Sequence, residues 1–397
     1  MQNYFSEKNT NKIPLAFLFL ISLAAFLLYF IHPYLTAQFF PTGDFAADML
    51  VGNTITENGY LLNGHYSRFG FNHPGPIFFY YNFFTEKISS LFNIICSNAW
   101  IASAASLNFL FYLIYCYLLH KLTNSKSVLI SLIAGLPTLA MLGQNIFNVW
   151  MPYRIVLPFG VYMISLTLIL RRGTRYLPVA TFFAGILIHG YVTMPVITFL
   201  PLFAILLARK VLFNEAPNKN QIIASALIIF LFLSPLLLDK IINPDSNLSN
   251  IISAKNHLRT APTPSVTESI TYTLSFWKPY NFLYVAALFF FIFTIKIVKI
   301  KNGMFHSLIL DSLPCIAVTV TFFLYHLTAP LPLYDFMGLY YLGAPITLIS
   351  IQLHTIISSL SNRIIQTSIS LCIIVTSIIL FKSVAVPIYS ENRKIQQ

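Results

Sequence analysis

The sequence predicts an all-α protein that crosses a membrane about eleven times. Two observations carry this. Apolar side chains make up 57% of the 397 residues and charged ones only 9%, with a mean hydropathy of +0.73, which is more apolar surface than one soluble core can enclose. Long uncharged runs recur along the whole chain, without the two-residue alternation of barrel strands, so helices must satisfy the backbone in lipid.

Twelve apolar runs can be read in order, near residues 13-31, 76-95, 99-119, 127-143, 153-170, 176-190, 192-208, 222-238, 279-298, 309-328, 338-358 and 364-386. The first lacks a small-residue cleavage site and is followed by many others, so it reads as a retained helix rather than a signal peptide. The second contains Asn82, Glu86 and Lys87 and is the weakest span. Lys121, Lys126, Arg171, Arg172, Arg175, Arg209, Lys210, Lys219, Lys296, Lys299, Lys301 and Arg363 fall in short loops. Placing them all on the cytoplasmic side with Lys8 and Lys12 works only if 76-95 does not cross. That run is therefore expected to lie at the outer interface or to re-enter, with the amino end inside and the carboxyl end outside. The net charge of +12 then reflects membrane orientation rather than nucleic-acid binding. Cys96, Cys116, Cys315 and Cys372 lie in or beside apolar runs without metal-like spacing and read as small hydrophobes.

This topology puts nearly every unusual polar residue on the outer face. The first outer loop leads into PTGDFAADMLVGNTITENGYLLNGHYSRFGFNHPGP at 41-76, which holds three of the chain's twelve acidic residues, Asp44, Asp48 and Glu57. A carboxylate just outside a span suits proton removal from an attacking hydroxyl. If GDFAADMLVG is helical, Asp44 and Asp48 share a face and can bind an acceptor or a divalent cation, magnesium or manganese, together. The plainer alternative makes Asp44 a helix cap and Asp48 a solvated side chain. Arg68 suits phosphate oxygens, or else lipid headgroups. Pro-Gly-Pro at 74-76 forces a rigid approach to the following helix and fixes where His73 points, while His65 lies in the same run. Further candidate ligands are Arg154, His189 with Tyr191, the basic group Lys255, His257 and Arg259, and Tyr334 with Asp335 in the last short outer loop.

A cytoplasmic amino end, one span, an acidic outer loop and a Pro-containing motif opening an aromatic helix together resemble the GT-C glycosyltransferases. These multi-span enzymes take sugars from polyprenyl-phosphate or polyprenyl-diphosphate donors, and the lipid A aminoarabinose transferases and protein O-mannosyltransferases are members. Asp44 matches the first-loop acid. HPGPIFFYY at 73-81 stands where the family has a Lys-Pro-Pro-type motif, with His73 for the lysine and Gly75 for a proline. The chain also resembles a set of bacterial multi-span proteins carrying an HPGP motif, through NVWMP at 148-152, HGY at 189-191, PLLLD at 235-239 and PDSNLSN at 244-250. The resemblance spans roughly 13-260, and 261-397 matches only as additional carboxyl-terminal spans, with no soluble domain.

The resemblance implies a GT-C-like glycosyltransferase of the bacterial cytoplasmic membrane, acting on its outer face. Its donor would be a polyprenyl-phosphate sugar and its acceptor a glycan or lipid. Asp44, with Asp48, would activate the acceptor, and His65, Arg68, His73, Arg154, His189, Tyr191, His257 and Arg259 would hold substrate. Two alternatives belong to other classes. A carrier or flippase of lipid-linked sugars would show inverted repeats and broken mid-membrane helices, and no internal repeat is evident. An O-antigen-type polymerase or ligase would concentrate arginines in late loops. GxxxxGKS, GxSxG and HExxH are all absent.

Overall fold

The computed structural model describes residues 12-37, 40-123, 127-258, 261-277, 302-360 and 362-384. Among these, nine helices are long and apolar enough to cross a membrane. The main elements are α1 (Lys12–Thr36), α2 (Gly43–Asn58), a hairpin of β1 (Tyr66–Ser67) and β2 (Phe71–Asn72), α3 (Ile77–Ser90), α4 (Cys96–Thr123), α5 (Val128–Leu142), α6 (Met151–Arg154), α7 (Val156–Arg172) and α8 (Leu177–Gly190). They continue with α9 (Met194–Phe213), α10 (Lys219–Ile242), α11 (Asn247–Leu258), α12 (Val266–Ser275), α13 (Asn302–His326), α14 (Asp335–Gly338), α15 (Gly343–Ser359) and α16 (Arg363–Ser383). The run expected at 176-190 forms the shorter α8, of 14 residues, and the run expected at 279-298 lies outside the described residues.

Helix α7 is apolar on every side and sits at the centre, packed on α4, α8, α9, α13 and α15. The outermost helices α1, α10 and α16 bury little and present their apolar faces outward, as helices facing lipid do. At one end of the bundle the Asn98 side chain of α4 donates to the carbonyls of Leu35 (2.8 Å) and Ala37 (3.1 Å), Tyr34 donates to Gln144 (3.0 Å), and the Gln144 amide donates to Val384 (3.2 Å). The end of α1 and the start of α4 thus lie at the same end, and the chain between them makes no net crossing. Within it α3 runs antiparallel to the first half of α4, joined by Ser103 to Asn82 (2.6 Å), Tyr81 to Ser106 (3.1 Å) and Trp100 to Glu86 (3.4 Å). The helix after the first loop is therefore interfacial or re-entrant.

The opposite end carries the basic loops. Arg172 donates to the Leu122 carbonyl (2.8 Å), Arg171 pairs with buried Asp311 (3.0 Å), and Arg209 donates to the Leu170 carbonyl (2.7 Å). Glu215 closes this end by accepting the Thr174 amide (2.8 Å) and hydroxyl (3.0 Å) while pairing with Arg209. These hydrogen bonds lower its pKa, the Thr174 amide contributing most and the Arg209 guanidinium next.

Candidate functional site

Helix α2 starts after Thr42 and puts Asp44 in its first turn, where the positive end of the helix dipole favours a carboxylate. Asp48 follows one turn later on the same face. Both line one cavity of about 300 Å³ at the end of the bundle away from the basic loops. Asp44 is exposed, and its Oδ2 accepts a hydrogen bond from the Trp150 indole (3.0 Å). Asp48 is buried, with Oδ2 2.7 Å from Nδ1 of buried His65. The His65 ring lies flat on Phe79, centroids 4.4 Å apart, and so cannot swing away from the carboxylate without losing that contact.

His65 and His73 face one another across the base of the hairpin. Tyr66 pairs with Asn72, the His73 amide donates to the His65 carbonyl (2.8 Å), and the Gly64 amide donates to the His73 carbonyl (2.9 Å). The turn at 68-70 closes with Gly70 at φ +80°, the left-handed residue that a three-residue hairpin loop calls for. From outside, Asn247 pins the hairpin by accepting the Asn72 amide (2.7 Å) and donating to its carbonyl (2.8 Å). Asp239 orients this clamp by accepting the Asn247 amide (2.6 Å) and the Asn243 side chain (2.7 Å). The PLLLD and PDSNLSN motifs thus shape the site without lining it.

The stretch after the hairpin is held from below by His189. Its Nδ1 accepts the Ile77 amide at the start of α3 (3.3 Å), and its Nε2 donates to the Phe232 carbonyl. Gly75 lies against this ring, and a Cβ there would come within 2.3 Å of Cε1. The middle of HPGP therefore needs glycine for close approach.

Trp150, Met151 and Pro152 of NVWMP, Tyr191 of HGY, and Phe336 form the remaining wall, with Tyr66, Ser67 and Phe69. Arg68 is exposed, and its guanidinium sits 4.3 Å from the Tyr334 ring centre, 5.2 Å from Phe69 and 5.4 Å from Phe336. These aromatic faces orient the guanidinium, and among the described residues it makes no hydrogen bond or ion pair, which leaves its N–H groups for a ligand. His73 is buried and stacks on Tyr191, centroids 4.7 Å apart, while its Nδ1 accepts the Val192 amide (3.3 Å). Burial, and secondarily the neighbouring His65, push its imidazole pKa down to about 3. Burial also raises the Tyr191 phenol, so it remains a neutral donor.

Asp44, Asp48, His65, Arg68, His73 and Tyr191 therefore converge on one cavity. Two other expected ligands stand apart from it. Arg154 lies outside the lining, buried, donating to Asn82 (2.8 Å) and Ser103 (3.2 Å) with Phe78 across its face, where it ties α6 to α3 and α4. His189 has both ring nitrogens engaged by backbone. Lys255 is exposed on α11 away from the cavity, and the side chains of His257 and Arg259 lie outside the described residues. Asp335 does not line the cavity, whereas its neighbours Tyr334 and Phe336 reach Arg68. Sequence reasoning passed over Trp150, Phe336 and Asn247. The first and last lay within motifs already noted, and a polar residue just after a helix end is the usual form of a loop clamp. Among the described residues no group of three or more His, Cys, Asp or Glu side chains gathers as a metal site.

The fold is that of the GT-C polytopic membrane proteins. It resembles the crystal structure of ArnT from Cupriavidus metallidurans bound to undecaprenyl phosphate, with a TM-score of 0.56 and 13% identity over 87% of this chain and 61% of that one. It matches the apo structure of the same protein with a TM-score of 0.56 and 12% identity over 89% of this chain and 62% of that one. The chain thus spans about three fifths of the length of the protein it matches. No protein-family model and no curated protein matches the sequence.

Proposed function

We propose that the cavity is the active site of a membrane glycosyltransferase that moves a sugar from a polyprenyl-phosphate donor to an extracytoplasmic glycan or lipid-linked acceptor. The observation that carries this reading is the meeting of two carboxylates and an aromatic-framed arginine in one cavity of a GT-C fold. The ArnT crystal structure with undecaprenyl phosphate supports the donor class. On this reading Asp44, exposed and oriented by Trp150, takes the proton of the attacking hydroxyl as the new bond to the sugar's anomeric carbon forms. The bond from that carbon to the phosphate oxygen breaks with its electron pair staying on the phosphate, which Arg68 meets with charge-assisted hydrogen bonds. Attack opposite the leaving group inverts the anomeric carbon. Asp48 is held by His65 one turn deeper, where it can orient the acceptor. A magnesium or manganese ion would be held by Asp44 and Asp48 with substrate oxygens and would supply further charge neutralisation at the phosphate. The cavity end would be extracytoplasmic and the basic end cytoplasmic.

The test is sugar transfer by purified wild type and Asp44→Asn in detergent, with polyprenyl-phosphate hexoses and a cell-envelope glycan fraction, scored by mass. Loss of a general base predicts a fall of about 10²- to 10⁴-fold in rate with donor binding retained. A wild type that binds the donor, transfers nothing to any acceptor, and moves the lipid across liposomes would replace the transferase with a carrier.

A further inference from the structure

The two histidines that flank Gly75 receive the same kind of hydrogen bond and end differently. A backbone N–H can only donate, so the ring nitrogen that it meets must present a lone pair. The Val192 amide therefore fixes His73 Nδ1 as an acceptor, just as the Ile77 amide fixes that of His189. In each neutral ring the proton then sits on Nε2. His189 spends that proton on the Phe232 carbonyl. His73 does not: its Nε2 has no partner among the described residues and, unlike both nitrogens of His65, is not sealed from solvent. The ring lines the cavity.

We propose that His73 is a tautomer-locked neutral donor whose Nε2–H binds a phosphoryl oxygen of the substrate beside Arg68. The assignment of that oxygen to a donor phosphate rests on the function proposed above. Geometry places the two groups together, since His73, the Tyr191 ring stacked on it and Arg68 all line the same cavity. Protonating Nδ1 would set an N–H against the Val192 N–H, so the imidazolium is opposed by structure as well as by burial. The depressed pKa agrees with this. The other titratable groups around the ring are His65 across the base of the hairpin, Asp48 behind it on α2, Tyr191 and Arg68, and His189 below Gly75. An uncharged donor strengthens as charge builds on the leaving phosphate without handing a proton to it. The lysine expected here from the family resemblance would carry charge instead.

The test uses the full-length protein in nanodiscs with ¹⁵N-labelled histidine, assigned by comparison with His73→Gln, and with undecaprenyl phosphate and undecaprenol as probes. The expected result is that His73 keeps a protonated Nε2 and bare Nδ1 between pH 5 and 8, and that undecaprenyl phosphate shifts the Nε2–H signal while undecaprenol does not. His73→Gln should weaken undecaprenyl phosphate at least about fivefold, roughly the worth of one hydrogen bond. Titration of His73 in the ordinary histidine range, or a proton on Nδ1, would overturn the lock. Equal response to undecaprenol would overturn the phosphate assignment. If wild type binds no undecaprenyl phosphate while the tautomer stands as described, the donor reading fails and takes the assignment of the oxygen with it, leaving the lock intact.

Discussion

Arg68 shows at the level of one side chain how the cavity separates charge from shape. Three aromatic rings frame the guanidinium, so its orientation is set before any ligand arrives. Arg68→Lys keeps the charge but loses the planar fork, and Arg68→Gln loses both. Undecaprenyl-phosphate affinity should fall in the order wild type, Lys, Gln, by about 10- to 100-fold at the last step, as expected of a charged hydrogen bond of roughly 1.5–3 kcal/mol. Titration by fluorescence or calorimetry checks the order, and equal affinities would remove Arg68 from the site. Asp44, Asp48, His65, Arg68 and His73 were legible in the sequence because polar groups are scarce in a chain with 9% charged residues, and Tyr191 through its place in the HGY turn. Trp150 and Phe336 were not, because 16% of the chain is aromatic and one more ring at an interface carries no signal. Arg154 misled for a related reason. A buried arginine beside a motif looks like a ligand until Asn82 and Ser103 are seen to take its hydrogen bonds.

At the level of elements, the hairpin and α3 are held by contacts from afar. Asn247→Ala removes both hydrogen bonds at the Asn72 backbone, with an expected loss of about 1–3 kcal/mol and greater mobility of the 65-73 segment. Denaturation in detergent and hydrogen exchange at that segment measure the two effects. Unchanged exchange would mean that the strand pairing alone suffices. Gly75→Ala drives a methyl into the His189 ring and should lower thermal stability more than Gly59→Ala, where no atom lies within 4 Å of an added Cβ although φ is +78°. A smaller effect at Gly75 would show that the ring yields readily. The weak second apolar run was read as non-crossing from loop charge and from its own Asn82, Glu86 and Lys87, and the hairpin that α3 makes with α4 agrees. The two-residue strands were illegible, since a pattern of period two needs more than two residues to be seen.

Over the whole molecule, the division between a basic end and a cavity end makes orientation measurable. Glu57 and Arg175 are both exposed, at opposite ends of the bundle. Replaced singly by cysteine in a cysteine-free background, Glu57→Cys should react with an impermeant maleimide from outside intact cells and Arg175→Cys only after permeabilisation. The reverse pattern would invert the proposed topology. The basic end also carries a pH signature. The folded-state pKa of Glu215 is lowered, so its contribution is present above the unfolded-state pKa and is lost as pH falls through the folded value. The melting-temperature difference between wild type and Glu215→Gln should hold steady near neutrality and shrink in acid. That the chain crosses the membrane many times could be read from hydropathy, whereas the joining of distant loops could not, because no local pattern records which loop meets which. The cavity draws its lining from residues 44 to 336, with Asn247 holding the hairpin in place. During synthesis, then, the acidic loop emerges first and waits. A nascent chain inserted only through its fifth or sixth helix already displays Asp44, Asp48 and Arg68, yet lacks Asn247 and the Phe336 wall, so the complete cavity arrives late in translation rather than growing with chain length.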